Sequence, residues 1–186
     1  MTRVVLFRAQ PFHNGHMYMI NTALLDAMKY GDRVLVLVGS ADKAGTSRNP
    51  IPIGVRLDLI YNSLVRAYDE NMLRYITVQG LPDLSDEANN SWSWGDYLYQ
   101  HMCDITKDTD FMFYYSDRPE IMLSWFRDAL KPFISYKFLP RYEGVNATAV
   151  REYIKHMDDE DMLEELESMV PPFVFANREG IRKYLV

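Results

Sequence analysis

The sequence predicts an α/β fold in which a parallel five-stranded sheet is flanked by helices. Two observations lead to this fold class. Short, continuous apolar runs, typical of strands buried on both faces, alternate with segments whose apolar residues recur at helical spacing. The chain has 186 residues, which is about the size of one domain. We therefore expect a single domain over residues 1–186.

The elements follow one another in strand–helix order. Five segments have the apolar, β-rich composition of buried strands: residues 4–7, 34–38, 73–78, 111–115 and 134–139. Helical spacing predicts the intervening helices over residues 15–30, 55–67, 92–105 and 120–130. Three further helices, over residues 148–156, 161–169 and 178–185, predict a small helical C-terminal part spanning residues 146–186.

Charge and cysteine content exclude several classes of protein. The net charge of −6 argues against a protein that coats nucleic acid. Residues 1–66 nevertheless carry 8 basic and 4 acidic side chains, a local net charge of +4, which indicates that this part binds anions. Cys103 is the single cysteine, so a disulfide framework and a multi-cysteine zinc site are both excluded.

Membrane and targeting signals are absent from the sequence pattern. No window approaches the ~20 apolar residues of a membrane-spanning helix, and the first apolar run is too short for a signal peptide. Together with the lone cysteine, this pattern predicts a cytoplasmic protein with neither a membrane nor a nucleic-acid partner.

The first candidate site lies between the first strand and the first helix. Arg8, His13, Gly15 and His16 come together where a helix begins, and parallel sheets bind ligands beyond the carboxyl ends of their strands. The free N–H groups of the helix, the two imidazoles and the guanidinium all suit a phosphate, and Gly15 allows close backbone approach. Two histidines without a third ligand make a poor zinc site, so no protein-held metal is predicted.

Two further segments carry anion-binding residue types. Asn146, Thr148 and Arg151 open a late helix, where they fit either a second phosphate site or an ordinary N-cap beside a solvated arginine. The stretch after the second strand contains Ser40, Arg48 and, at the start of the next helix, Arg56; by itself it is only a basic loop.

Residues 8–16, Arg-Ala-Gln-Pro-Phe-His-Asn-Gly-His, closely resemble the signature of nucleotidyltransferases with the His-x-Gly-His motif. The variant is most similar to that of archaeal-type nicotinamide mononucleotide adenylyltransferases and of the adenylyltransferase half of bifunctional adenylyltransferase–Nudix proteins. Residues 39–56, 94–98 and 146–151 resemble three further segments of that family, in the family's order. One departure is Phe7, which stands where the family has glycine.

The resemblance implies a Rossmann-like nucleotidyltransferase fold and adenylyl transfer from ATP to nicotinamide mononucleotide, giving NAD and pyrophosphate. It implies that His13, His16 and Arg151 are catalytic. It implies that the ATP phosphates bind at Arg8, Gly15, Arg48, Asn146 and Thr148. It implies that the nicotinamide nucleotide binds at Ser40 and at Trp94, with Trp92 as the competing aromatic residue.

The resemblance also implies that Mg²⁺ is held through the ATP phosphates and that the chain can form homo-oligomers. Two alternatives remain. One is the same transfer to another acceptor, namely nicotinate mononucleotide, flavin mononucleotide or pantetheine phosphate. The other is a nucleotide-binding regulator without turnover, which would bind ATP but release no pyrophosphate.

Overall fold

The computed structural model describes residues 1–84, 92–116, 119–142 and 144–185. Its sheet has the strand order β3-β2-β1-β4-β5, and all four strand pairs are parallel. The strands are β1 (Thr2–Phe7), β2 (Arg33–Val38), β3 (Ile76–Gly80), β4 (Phe111–Tyr115) and β5 (Ile134–Phe138). The prediction of a parallel five-stranded sheet flanked by helices is confirmed.

Helices cover both faces of this sheet. The helices are α1 (Asn14–Tyr30), α2 (Ile53–Ala67), α3 (Glu70–Leu73), α4 (Trp92–Thr106), α5 (Pro119–Ser124), α6 (Ala147–Lys155), α7 (Glu160–Met169), α8 (Pro172–Ala176) and α9 (Arg178–Arg182). Because successive strand residues point to opposite faces, Val5 packs in one hydrophobic cluster with α1 and α2, and Val4 packs in another with α4. Helix α1 is capped at its C-terminus by Gly31, whose φ of 71° is the left-handed conformation that glycine adopts readily.

The last helix stops at Arg182 and not at residue 185, and two further predicted boundaries were also wrong. The third strand begins at Ile76, because Asp69 accepts a hydrogen bond from the Met72 amide and caps the short helix α3. The predicted helix over residues 120–130 stops at Ser124, and a 3₁₀ turn over Lys131–Phe133 leads into β5. In both places a local capping or turn interaction overrides the apolar pattern.

The helices of the C-terminal part pack on the α1 and α2 side of the sheet. Val150, Leu166 and Val174 belong to the same hydrophobic cluster as the buried residues of α1. The side-chain amide of Asn14, in the first turn of α1, donates to the Ser168 carbonyl at 2.9 Å. The helix that begins beside the predicted phosphate site is therefore braced by α7.

A buried ionic network lies at the beginning of β1. Arg3 is 4% exposed, and its guanidinium donates to the Tyr114 hydroxyl and to the Asp32 carboxylate, both at 2.6 Å. Tyr114 in turn donates to Asp26, which also accepts a short hydrogen bond from Lys137. Burial alone lowers the pKa of Arg3, but its bonds with Tyr114 and Asp32 outweigh that effect, so the pKa is raised.

Within the described residues, none of the helices combines the length and the apolarity that crossing a membrane requires.

Candidate active site

A cleft of about 610 Å³ opens beyond the carboxyl ends of β1 and β4. All eight residues predicted to be catalytic or to bind the ATP phosphates line it: Arg8, His13, Gly15, His16, Arg48, Asn146, Thr148 and Arg151. Three segments far apart in the sequence thus meet around one space, as the rule for parallel sheets led us to expect.

The two histidines of the motif stack on each other at the start of α1. Their ring centroids are 3.6 Å apart, and the His13 amide donates to Nδ1 of His16 at 3.3 Å. An accepting Nδ1 leaves the proton of a neutral His16 ring on Nε2, which is then a donor. Gly15 makes room for this stack, because a Cβ there would lie 3.0 Å from Cε1 of His13.

Both imidazoles are neutral at pH 7. Burial lowers the pKa of His13 to about 4. Burial, and then the neighbouring His13, lower the pKa of His16 well below its ordinary value. The pair therefore offers uncharged N–H donors, and an anion in the cleft would raise both pKa values toward the range in which the rings carry charge.

Arginines surround these imidazoles. Burial lowers the pKa of Arg8, and the nearby cations Arg48 and Arg151 lower it further, whereas Asp83 acts in the opposite direction. Arg141, which follows β5, also lines the cleft. Arg141 is not among the residues predicted from the sequence, although its position after a strand end is the same signal that pointed to Arg8. The surroundings of Arg8 therefore disfavour its positive charge, and a bound polyanion would stabilise that charge.

Arg56 has a different place from the loop arginines with which it was grouped. Its side chain is fully buried, and its guanidinium donates to the carbonyls of Arg8, Gly39 and Ser40, each at 2.8 Å. Burial lowers its pKa to about 10, so it stays charged at neutral pH. Arg56 holds together the carboxyl ends of β1 and β2 and does not line the cleft.

Left-handed backbone follows each of these two strand ends. Ala9 has a φ of 52° and Ser40 a φ of 50°, and neither is a glycine. Such conformations cost of order 1–3 kcal/mol each and persist where surrounding bonds determine them. The Arg56 guanidinium supplies such bonds, because it donates to the carbonyl of Arg8, which precedes Ala9, and to the carbonyl of Ser40 itself.

The second predicted segment forms the start of α6. The Asn146 side chain accepts from the Ala149 amide at 2.9 Å, which makes Asn146 the N-cap. Arg151 is turned toward the first motif, because its Nη1 donates to the Gln10 carbonyl at 2.8 Å while its Nη2 donates to the Thr148 hydroxyl at 3.2 Å. The segment is thus a capped helix whose first turns line the cleft, and its binding of phosphate stays a prediction.

The residues predicted to bind the nicotinamide nucleotide do not line this cleft. Ser40 is 7% exposed and its hydroxyl donates to Asp83 at 3.2 Å. Trp94 is 4% exposed and packs edge-on against Trp125, with ring centroids 6.1 Å apart, whereas Trp92 at the start of α4 is 63% exposed. The role of these three residues stays a prediction.

Protein ligands for a metal ion are missing in the described part of the chain, where no group of three or more His, Cys, Asp or Glu side chains could hold one. The polar groups of the cleft include imidazole and guanidinium donors, which fit phosphate oxygens.

Solved structures of two other proteins share the fold of this chain. A bifunctional NMN adenylyltransferase/ADP-ribose pyrophosphatase from Francisella tularensis, complexed with AMP and a manganese ion, superposes with a TM-score of 0.63 at 21% identity, over 83% of this chain and 41% of that one. A candidate nicotinate-nucleotide adenylyltransferase from Vibrio parahaemolyticus superposes with a TM-score of 0.62 at 14% identity, over 96% of this chain and 99% of that one. The fold is that of the Rossmann-like nucleotidyltransferases.

Curated relatives resemble this chain in sequence. A nicotinamide-nucleotide adenylyltransferase from Saccharolobus solfataricus is 37% identical over 87 residues, which make up 46% of this chain and 45% of that protein. The match thus spans about half the length of the curated relative, and no family model matches the chain. The resemblance to nicotinamide-nucleotide adenylyltransferases that the motifs predicted is confirmed.

Proposed function

We propose that this protein is an adenylyltransferase that joins ATP and nicotinamide mononucleotide to give NAD and pyrophosphate. The observation that carries the proposal is the cleft in which His13, His16, Arg8, Arg48 and Arg151 face one space. This arrangement matches the needs of a triphosphate, because cations that repel one another and neutral N–H donors are both stabilised by phosphate oxygens.

The chemistry that this cleft suits is an in-line displacement at phosphorus. A phosphate oxygen of nicotinamide mononucleotide bonds to the α-phosphorus of ATP, the bond to the β-phosphate oxygen breaks, and pyrophosphate leaves with that electron pair. The attacking oxygen is already anionic, so no general base is needed. The protein then contributes alignment and stabilisation of charge.

Each segment of the cleft has a part in this proposal. The imidazoles of His13 and His16 donate to the ATP phosphates where negative charge moves toward the leaving group. The N-terminus of α6, with Arg151 beside it, binds the β- and γ-phosphates. Arg8 and Arg48 lie between the phosphates of the two substrates and hold the reacting oxygen near the α-phosphorus.

Divalent metal use is supported by the manganese ion of the Francisella tularensis structure. We propose Mg²⁺ for this chain, carried by the ATP phosphates that the residues of the cleft hold. When bound, it would neutralise part of the charge on the departing pyrophosphate.

We also propose that the chain works as one domain in the cytoplasm. The shared hydrophobic cluster of α1 and the C-terminal helices supports the first part. A single cooperative unfolding transition and recovery of the activity in the cytoplasmic fraction are the corresponding measurements.

Supplying ATP and Mg²⁺ with each candidate acceptor in turn tests the function. We expect NAD and an equal amount of pyrophosphate with nicotinamide mononucleotide. Faster product formation with nicotinate mononucleotide, flavin mononucleotide or pantetheine phosphate would transfer the proposal to that acceptor. ATP binding without pyrophosphate release from any acceptor would instead identify a regulator.

The acceptor site is tested by substituting the two tryptophans of α4. If Trp94 stacks on the nicotinamide ring, Trp94→Ala raises the KM for the nicotinamide nucleotide by about 5- to 30-fold. The KM for ATP should rise less. Trp92→Ala is the matched control. If only Trp92→Ala raises that KM, the exposed tryptophan is the ring contact.

A further inference from the structure

Gln10 occupies the point where the three segments of the cleft meet. Gln10 is 3% exposed, and its side-chain amide forms hydrogen bonds with both main-chain polar groups of Ile51. Its Nε2 donates to the Ile51 carbonyl at 3.2 Å, and its Oε1 accepts from the Ile51 amide at 2.9 Å. The side chain thereby attaches the loop after β2 to the turn that leads into α1.

The loop attached in this way carries Arg48. Its internal hydrogen bonds join Gly45 to Pro50 and Thr46 to Asn49, so residues 45–50 form a small unit tied mainly to itself. The position of that unit relative to the cleft depends on its two ends. Arg56 holds the Ser40 end, and Gln10 holds the Ile51 end, three residues after Arg48.

The third segment attaches to the main chain of the same residue. The Gln10 carbonyl accepts from Nη1 of Arg151 at 2.8 Å, and Arg151 is otherwise held by Thr148 in its own helix. One buried residue therefore joins the histidine turn, the Arg48 loop and the Arg151 helix through three hydrogen bonds.

We infer that Gln10 is a positioning residue, whose side-chain amide sets the distance between Arg48 and the phosphates held by His13 and His16. The inference deepens the proposed function and rests on it. Gln10 itself acts only through the residues it holds. Small displacements of aligned groups cost up to about 100-fold in rate, which is the scale of effect expected here.

Gln10→Met tests the inference, because methionine has a similar length and volume but makes neither hydrogen bond. We expect kcat/KM for ATP to fall 10- to 100-fold, with KM for ATP rising several-fold. A residue needed only for folding would lower the amount of active enzyme and leave KM unchanged. An unchanged KM in the folded variant would overturn the inference.

Repeating the Gln10→Met substitution in the Arg48→Ala variant tests whether Gln10 acts through Arg48. In Arg48→Ala, the further change Gln10→Met should lower kcat/KM by less than about threefold, because the group that it positions is already gone. Equal losses in the two backgrounds would mean that Gln10 does not act through Arg48. Gln100→Met is the matched control, since Gln100 is exposed on α4 and its side-chain amide donates to Asp104 in its own helix.

Amide hydrogen exchange provides a readout that does not depend on turnover. In Gln10→Met the Ile51 amide should exchange at least tenfold faster, while the amide of Val36 in β2 keeps its protection. If the wild-type protein formed no dinucleotide, the proposed function would fail, and this exchange pattern together with the Kd for ATP alone would still test the positioning role. Unchanged exchange at Ile51 would contradict that role directly.

Discussion

The two ends of β1 each carry an arginine, and the two arginines have opposite surroundings. Arg3, at the beginning of the strand, is buried against Asp32, Asp26 and Tyr114, and its pKa is raised. Arg8, just after the end, has Arg48 and Arg151 as its cationic neighbours, and its pKa is lowered. Charge is thus compensated within the protein at the beginning of the strand, whereas beyond its end the two neighbouring cations outweigh Asp83.

The largest expected effect concerns the cleft beyond the carboxyl end of β1. His16→Ala removes the imidazole that we propose donates to the ATP phosphates, and we expect turnover to fall by ~10²–10³, as for other electrostatic donors. Steady-state assays of NAD formation measure this. His156→Ala, at an exposed position near the end of α6, is the control and should stay within twofold of wild type. Wild-type turnover in His16→Ala would remove the imidazole from the mechanism.

The next largest effect concerns the stability of the fold and comes from the buried ionic network at the beginning of β1. Arg3→Met leaves Asp32 and Tyr114 without their buried partner, so the free energy of unfolding should fall by about 2–3 kcal/mol. Urea titration measures the loss. The KM for ATP should change less than twofold; a large change in KM would mean that the two ends of the strand are coupled.

A smaller effect comes from pH. The pKa of His13 is about 4 in the folded chain and about 6.5 in an unfolded one, so the unfolded chain takes up this proton first as pH falls. Stability is therefore fully present above pH 6.5 and is lost as pH falls toward 4, on the order of 1–2 kcal/mol between pH 7 and 5. His13→Gln should flatten this part of the urea-unfolding profile, and identical profiles would contradict the assignment.

The smallest expected change in stability comes from Arg8→Met. Since the cations Arg48 and Arg151 together outweigh Asp83 around Arg8, removal of Arg8 should change the free energy of unfolding by less than about 0.5 kcal/mol or raise it slightly, while the Kd for ATP rises about tenfold. Calorimetric titration and urea unfolding of the same sample measure both quantities. A loss as large as that of Arg3→Met would show that the two arginines have equivalent roles.

Periodicity predicted the sheet well because its central strands are buried on both faces. Val4, Val36 and Phe113 are fully buried, and such strands leave continuous apolar runs in the sequence. Periodicity failed at β3, an edge strand whose residues alternate between partly buried and exposed. There the Asp69 cap decided the boundary, and a capping hydrogen bond leaves only a faint trace in an apolar pattern.

Most of the candidate site followed from residue type and position, because His13, His16 and Arg151 lie where strands end and helices begin. Gln10 and Arg56 did not, since their partners are main-chain carbonyls and amides brought close only by the fold. A sequence records which side chains are present, but it does not record which backbone groups lack a partner. The place of Arg56 behind the cleft therefore required the structure.

The burial of Arg56 against three carbonyls has a consequence for kinetics. Carbonyl oxygens do not titrate, and a guanidinium with a pKa of about 10 keeps its proton throughout the neutral range. This cation therefore contributes a constant positive potential behind the cleft from about pH 5 to pH 9. The acidic limb of a pH–rate profile accordingly does not arise from Arg56, which sets a fixed baseline against which the titration of other groups can be measured.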